Sequence, residues 1–117
     1  MQTDTFKDKV VIVTGGANGI GRCIADEFRK QGAVVYVIDK QEGEHFVGDI
    51  SKQDVLEAFA SEVLSKHNKV DIIVNNALPL MRGIDECSYD EFQYALSVGV
   101  TAPFYLVKLL KNHLAEG

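Results

Sequence analysis

The chain has 117 residues, enough for one domain around one core, with 46% apolar and 25% charged residues in the balance of a soluble globular protein. A net charge of −5, with no basic run and no aromatic residues interleaved among basic ones, argues against a nucleic-acid partner. No apolar run is long enough to span a bilayer and the opening M-Q-T-D-T-F-K-D lacks a signal-peptide core, so a cytoplasmic protein without a membrane partner is expected.

Residues Met1 to Asp8 are polar and expected over the surface before the first strand. Val10 to Val13 read as that strand, and Thr14 to Gly21 form a glycine-rich turn. An amphipathic helix follows, with Ile20, Cys23, Ile24 and Phe28 at helical spacing and Gly32 as its C-terminal stop. Cys23 is therefore expected as a small core residue, and Cys23 and Cys87 show no metal-ligand spacing. The second strand, Val34 to Ile38, is almost wholly apolar, as suits a parallel strand buried on both faces, and it ends on the lone carboxylate of Asp39.

This order has a chemical logic. Glycine lets a backbone approach a pyrophosphate without a Cβ in the way. The helix that follows aims unpaired N–H groups and a partial positive charge at the same spot. A carboxylate at the end of the second strand is placed to take both hydroxyls of an adenosine ribose. A generic glycine-rich surface turn is the plainer alternative, and strand, helix, second strand and Asp39 in register speak against it.

Further along, His45 to Asp49 read as a short third strand, and Ser51 with Asp54 as a capping box before a helix striped by Val55, Leu56, Phe59, Ala60, Val63 and Leu64. Asn68 can end that helix, and Val70 to Val74 form a fourth strand running into Asn75-Asn76-Ala77-Leu78. Pro79 to Glu86 is loop. Ser88 with Glu91 is a second capping box, Phe92, Ala95 and Leu96 continue a helical face, and Gly99 and Pro103 interrupt or bend it. Phe104 to Leu114 is apolar almost all round and calls for two partners, one of them the sheet.

The spacing of Gly15, Gly19 and Gly21 in T-G-G-A-N-G-I-G closely resembles the nucleotide-binding loop of the short-chain dehydrogenase/reductase family, and Asn75-Asn76-Ala77 resembles its N-N-A-G stretch. The resemblance implies a Rossmann-like, doubly wound parallel α/β sheet in spatial order 3-2-1-4, the first helix on one face and the later ones on the other. It implies a single dinucleotide-binding domain over residues 1–117, matching only the first half of a family member and truncated at its C-terminal end. The cofactor-binding positions it implies are Gly15, Asn18, Gly19, Ile20, Gly21, Asp39, Asp49, Ile50, Asn75, Ala77 and Val98. Asp49 would lie near the adenine ring; a helix-start residue before Ser51 is its other reading. Amides tying a loop to the sheet are the other reading of Asn75 and Asn76.

The cofactor expected is NAD rather than NADP, because Asp39 would repel a 2′-phosphate; Lys40 and Arg22 lie close enough in sequence to soften the discrimination. The expected activity is hydride transfer with a small alcohol or carbonyl substrate, and the expected partner is a second copy, in a homodimer or homotetramer, through the helix containing Phe104 to Leu114.

Three departures limit the resemblance. Leu78 stands where the family has glycine, and Gly99 stands where it often has a helix asparagine that holds a water in the proton relay. The family's catalytic Tyr-x-x-x-Lys is lacking: Tyr36 with Lys40 matches in number alone, lying on a strand and the turn after it, where the two side chains do not share a helical face. No catalytic residue and no metal site is therefore assigned; His45, His67 and His113 are scattered and form no constellation. The chain is expected to be inactive alone. The alternatives are a catalytically silent dinucleotide-binding and self-association module and, less favoured, a receiver-like α/β domain without hydride chemistry.

Overall fold

The computed structural model describes residues 4–79 and 82–115. The elements run β1 (Val10–Thr14), α1 (Gly19–Lys30), β2 (Val34–Asp39), β3 (Phe46–Val47), α2 (Gln53–Lys66), β4 (Ile72–Asn75), α3 (Tyr89–Leu96) and α4 (Ala102–Leu110). The strands form one parallel sheet in the order β3-β2-β1-β4, as the family resemblance implies. Its register pairs Val13 with Val37 on one side and with Val74 on the other.

Alternation along β1 sorts the core into two layers. Val11 and Val13 face α1, packing with Val37, Ala25, Ile24 and Phe28. Val10 and Ile12 face the opposite way, into a larger cluster with Ile38, Phe59 and Val63 from below α2 and Leu106 and Leu110 from α4. Helices thus cover both sheet faces, so β1 is apolar from Val10 to Val13 and all five of its residues, Thr14 included, are buried.

The end of α1 forms as its glycine predicts. Gly32 adopts φ +93°, its N–H donates to Arg29 O at 3.1 Å, and Ala33 N–H reaches Phe28 O at 3.0 Å, closing a Schellman motif. Its buried face differs from the expectation. Cys23 is exposed and Ile20 is 76% exposed, whereas Gly21 and Ala25 are buried and Ile24 and Phe28 pack on the sheet. A pattern built from large apolar side chains overlooks Gly21, whose missing side chain lets the helix press closest there. That choice rotates the inward face by about 100°, one helical residue, away from Ile20.

Three more local expectations are corrected. No Ser51–Asp54 capping box forms: α2 starts from Lys52 without a side-chain cap, because Ser51 N–H is already taken by Asp49 Oδ1 at 2.9 Å. The fourth strand begins at Ile72 rather than Val70, which instead makes an isolated parallel bridge to Leu114. The third strand is shorter than expected, only Phe46–Val47. The Ser88–Glu91 capping box is present in full, with both reciprocal bonds. Gly99 sits in a π segment, Ser97–Thr101, that joins α3 to α4 in unbroken helical backbone, and Pro103 follows it in the first turn of α4. Residues 80 and 81 of the expected Pro79–Glu86 loop lie outside the described residues.

Asp71 locks the entrance of β4 to β1. Its Oδ2 accepts from Val10 N–H at 2.8 Å while its own N–H donates to Val10 O at 2.9 Å, and Lys69 Nζ lies 3.2 Å from Oδ1. Burial alone would raise its pKa, but the Val10 N–H and the Lys69 ammonium together hold it below the ordinary aspartate value. A carboxylate with a lowered folded-state pKa stabilises the fold above its unfolded pKa, and that contribution is lost as pH falls through the folded value. Asp71→Asn is expected to cost about 1 kcal/mol at pH 7 and less near pH 3, where protonation of the carboxylate has begun to remove what it contributes. Urea unfolding at both pH values checks this, and an equal loss at both would overturn it.

Candidate functional site

At the carboxyl ends of the strands lies an open cleft of about 1100 Å³. Its floor is made where β1 gives way to the glycine turn. Gly15 has φ +68°, and a Cβ there would come within 2.8 Å of Ala77 Cα, so glycine is needed both for the turn and for the contact. A Cβ on Gly21 would fall on Gly15 O and Asn76 Nδ2. Gly19, at φ +58°, has open space where a side chain would be.

Side chains fasten this floor to the end of β4. Thr14 Oγ1 accepts from the backbone N–H groups of Asn76 and Ala77, both at 3.1 Å, and Asn76 Nδ2 donates to Gly15 O at 3.0 Å. Thr14 is the one buried polar side chain among the described residues, and these two bonds use its acceptor capacity. Asn76 therefore does the loop-tying work that the sequence allowed for both asparagines.

Asp39 stands across the turn. Its Oδ2 accepts from Ala17 N–H at 3.1 Å and its Oδ1 from Gln41 N–H at 2.9 Å. A carboxylate has about four lone-pair positions, so each oxygen keeps room for one more donor. Asn18 precedes α1 but does not cap it; its amide donates instead to Gln41 Oε1 at 2.6 Å. With no acidic residue in the first turn of α1 either, the helix start faces the cleft with its N–H groups unclaimed by a capping side chain.

Asp49 completes the far wall. Partial burial would raise its pKa, but the Ser51 backbone and side chain, the Tyr94 hydroxyl and the Lys40 charge lower it overall, below the ordinary aspartate value. It is thus both a turn-former before α2 and a cleft residue, uniting the two readings of the sequence.

Of the residues singled out from sequence, Gly15, Asn18, Gly19, Ile20, Gly21, Asp39, Asp49, Ile50, Ala77 and Val98 all line this cleft. Asn75 does not; it is exposed at the end of β4, and its neighbour Asn76 lines the wall in its place. Leu78 lines the cleft and is 85% exposed, leaving the Gly15–Ala77 contact undisturbed. Tyr36 and Lys40 do not meet: the Tyr36 hydroxyl lies 2.8 Å from His67 Nε2, while Lys40 Nζ lies 3.4 Å from Tyr94 OH. Gly99 is exposed, with nothing within 4 Å of where its Cβ would be. Among the described residues no group of His, Cys, Asp and Glu could hold a metal ion, and no helix is long and apolar enough to cross a membrane.

Tyr94 is the cleft residue the sequence did not reveal. It reaches Asp49 across 45 positions of chain, and nothing in its helical neighbourhood signals that contact.

A dinucleotide fits these residues on three counts: a glycine floor that a Cβ would fill, an uncapped helix start above it, and Asp39 with free lone pairs opposite.

The chain is similar in sequence and fold to known proteins. The chain is 35% identical over 125 residues to mouse (Mus musculus) L-fucose dehydrogenase, covering 95% of this chain and 46% of that protein. The 3-ketoacyl-(acyl-carrier-protein) reductase of Brucella melitensis, solved with NADH, superposes with a TM-score of 0.83 at 29% identity, over 93% of this chain and 51% of that one. A metagenomic short-chain oxidoreductase in complex with NADP gives 0.82 at 26% identity, over 92% and 56%. The chain thus spans about half the length of the relatives it matches. With the short chain dehydrogenase profile matching residues 9–117, on the sheet order and glycine turn described above, this chain belongs to the short-chain dehydrogenase family.

Proposed function

We propose that this chain binds NAD(H) and forms the cofactor-binding part of an oxidoreductase that moves hydride between the nicotinamide and a small alcohol or carbonyl substrate. The observation that carries this reading is the uncapped start of α1 over the glycine turn, faced by Asp39 with spare lone pairs. The pyrophosphate would rest on Gly15, Asn18, Gly19, Ile20 and Gly21, where helix N–H groups and the positive end of the dipole meet it. Asp39 would accept from the two hydroxyls of the adenosine ribose, and Asp49 and Ile50 would border the adenine. Ala77 and Val98, with Asn76 in the wall beside them, would follow the cofactor toward the nicotinamide. The nicotinamide itself supplies the hydride chemistry when bound; the residues here bind and orient it.

Self-association belongs to the same reading. Phe92, Leu96, Val100, Phe104 and Val107 are large apolar residues left exposed along α3, the π segment and α4. A second copy packing there would give α4 the second partner its apolar surface calls for. A catalytically silent, self-associating dinucleotide-binding module is a second reading that shares the NAD(H)-binding core of the first and differs only in lacking turnover. Fluorescence titration with NADH tests the shared core of both, with saturable binding expected. No binding would overturn both, and turnover of NAD with secondary alcohols would separate them. Light scattering that reports a monomer at high micromolar concentration would overturn the assembly.

A further inference from the structure

Three side chains from distant parts of the chain converge on the far wall of the cleft: Lys40 after β2, Asp49 after β3, and Tyr94 on α3. The Tyr94 hydroxyl lies 3.2 Å from each oxygen of Asp49. Lys40 Nζ approaches the same hydroxyl at 3.4 Å and lies 5.5 Å from the centre of its ring. Elementary chemistry fixes the direction of this chain of bonds. A lysine ammonium can only donate, so the tyrosine oxygen accepts from it; an ionised carboxylate can only accept, so the tyrosine proton goes to Asp49. Because the hydroxyl is shared evenly between the two oxygens, neither oxygen is used up. Ser51 N–H steadies Oδ1 from behind at 2.9 Å. The carboxylate is thereby held in one orientation and presents only acceptors to the cleft.

We propose that Tyr94 is the positioning residue of the base subsite: it holds Asp49 as an acceptor-only edge, so that the cleft takes a purine bearing an exocyclic amino group over one bearing a carbonyl there. The inference rests on the dinucleotide reading above. An amino group donates to Asp49 directly. A carbonyl at the same place sets two acceptors against each other, and the Tyr94 proton is already committed to the carboxylate. The Tyr94 hydroxyl bonds Asp49 and Lys40, and its half-buried ring lies against Lys40, so removing the oxygen takes away those bonds and leaves the packing in place.

The test compares NADH with reduced nicotinamide hypoxanthine dinucleotide, in which a carbonyl replaces the amino group, on wild type, Tyr94→Phe, Asp49→Asn and the double variant. Tyr94→Phe is expected to weaken NADH binding about 3- to 10-fold, the loss of one hydrogen bond in a charged network, with the hypoxanthine analogue changed less than about twofold. In the Asp49→Asn background the same change is expected to have no further effect on NADH. Equal losses on both dinucleotides, no loss on NADH, or an undiminished effect in the Asp49→Asn background would each overturn the proposal. Wild type that binds neither dinucleotide would instead overturn the dinucleotide reading. Circular dichroism and thermal melting show that each variant is folded.

Discussion

Gly21→Ala is expected to lower folding stability by about 3 kcal/mol and to abolish dinucleotide binding in the protein that still folds. The added Cβ would land on Gly15 O and Asn76 Nδ2. The first is backbone, held in place because Gly15 N–H donates to Ile38 O at 2.8 Å; the second is an amide already bonded to Gly15 O. Neither can step aside as a flexible side-chain end would. The start of α1 must move away from the floor instead, taking its N–H groups with it. Gly19→Ala is the control. Gly19 has φ +58° but nothing within 4 Å, whereas Gly21 has ordinary helical backbone, so at Gly19 only the left-handed backbone penalises alanine, by about 1 kcal/mol. Urea unfolding of the two variants beside wild type decides the matter. A loss at Gly21→Ala no larger than that at Gly19→Ala would mean that the close approach does not make Gly21 necessary.

Asp39→Ala should erase most of a preference for NADH over NADPH that is expected to approach a thousandfold in the wild type. A 2′-phosphate within about 4 Å of the carboxylate meets roughly 4 kcal/mol of repulsion per charge pair at an effective dielectric of 20. Tenfold in affinity corresponds to about 1.4 kcal/mol, which sets the scale. Lys40 does little to offset this, because its ammonium is turned toward Tyr94. Arg22 is likewise occupied, with its Nε 3.8 Å from Asp26 Oδ2. Alanine also releases the Ala17 and Gln41 N–H groups, so NADH binding should weaken while NADPH binding improves. Dissociation constants for both cofactors on both proteins give the answer. Wild type that binds the two equally would remove Asp39 from the role.

Much of this was readable before any coordinates, and the parts that were share a cause. The glycine turn, the apolar second strand with Asp39 at its end and the Ser88–Glu91 box are local devices, each specified by residues a few positions apart, although only Val37 and Ile38 of that strand are buried. Sheet order came with the family resemblance, since periodicity alone leaves strand order open. Where the reading failed, a local signal was outcompeted. Ser51 and Asp54 have the right spacing for a cap, yet Asp49 lies two residues upstream and captures the Ser51 N–H first. Cys23 has the right periodicity for burial, yet a glycine beside it lets the helix approach on another side. Tyr94 was out of reach for a different reason: its partners lie 45 and 54 positions away, and only the crossover of the chain brings them together.

Thr14, Asn76, Gly15 and Ala77 form a single bolted unit, and that has a thermodynamic consequence. Binding usually costs conformational entropy, because loops that wander in the free protein must be stilled in the complex. Here the floor of the cleft spends none of its affinity on ordering itself, since its two loops are joined by three hydrogen bonds and a direct backbone contact before any ligand arrives. Whatever adjusts on binding must do so at the rim, where Lys40, Gln41 and Leu78 are exposed. The cleft is thus rigid at its glycine floor and adaptable at its rim.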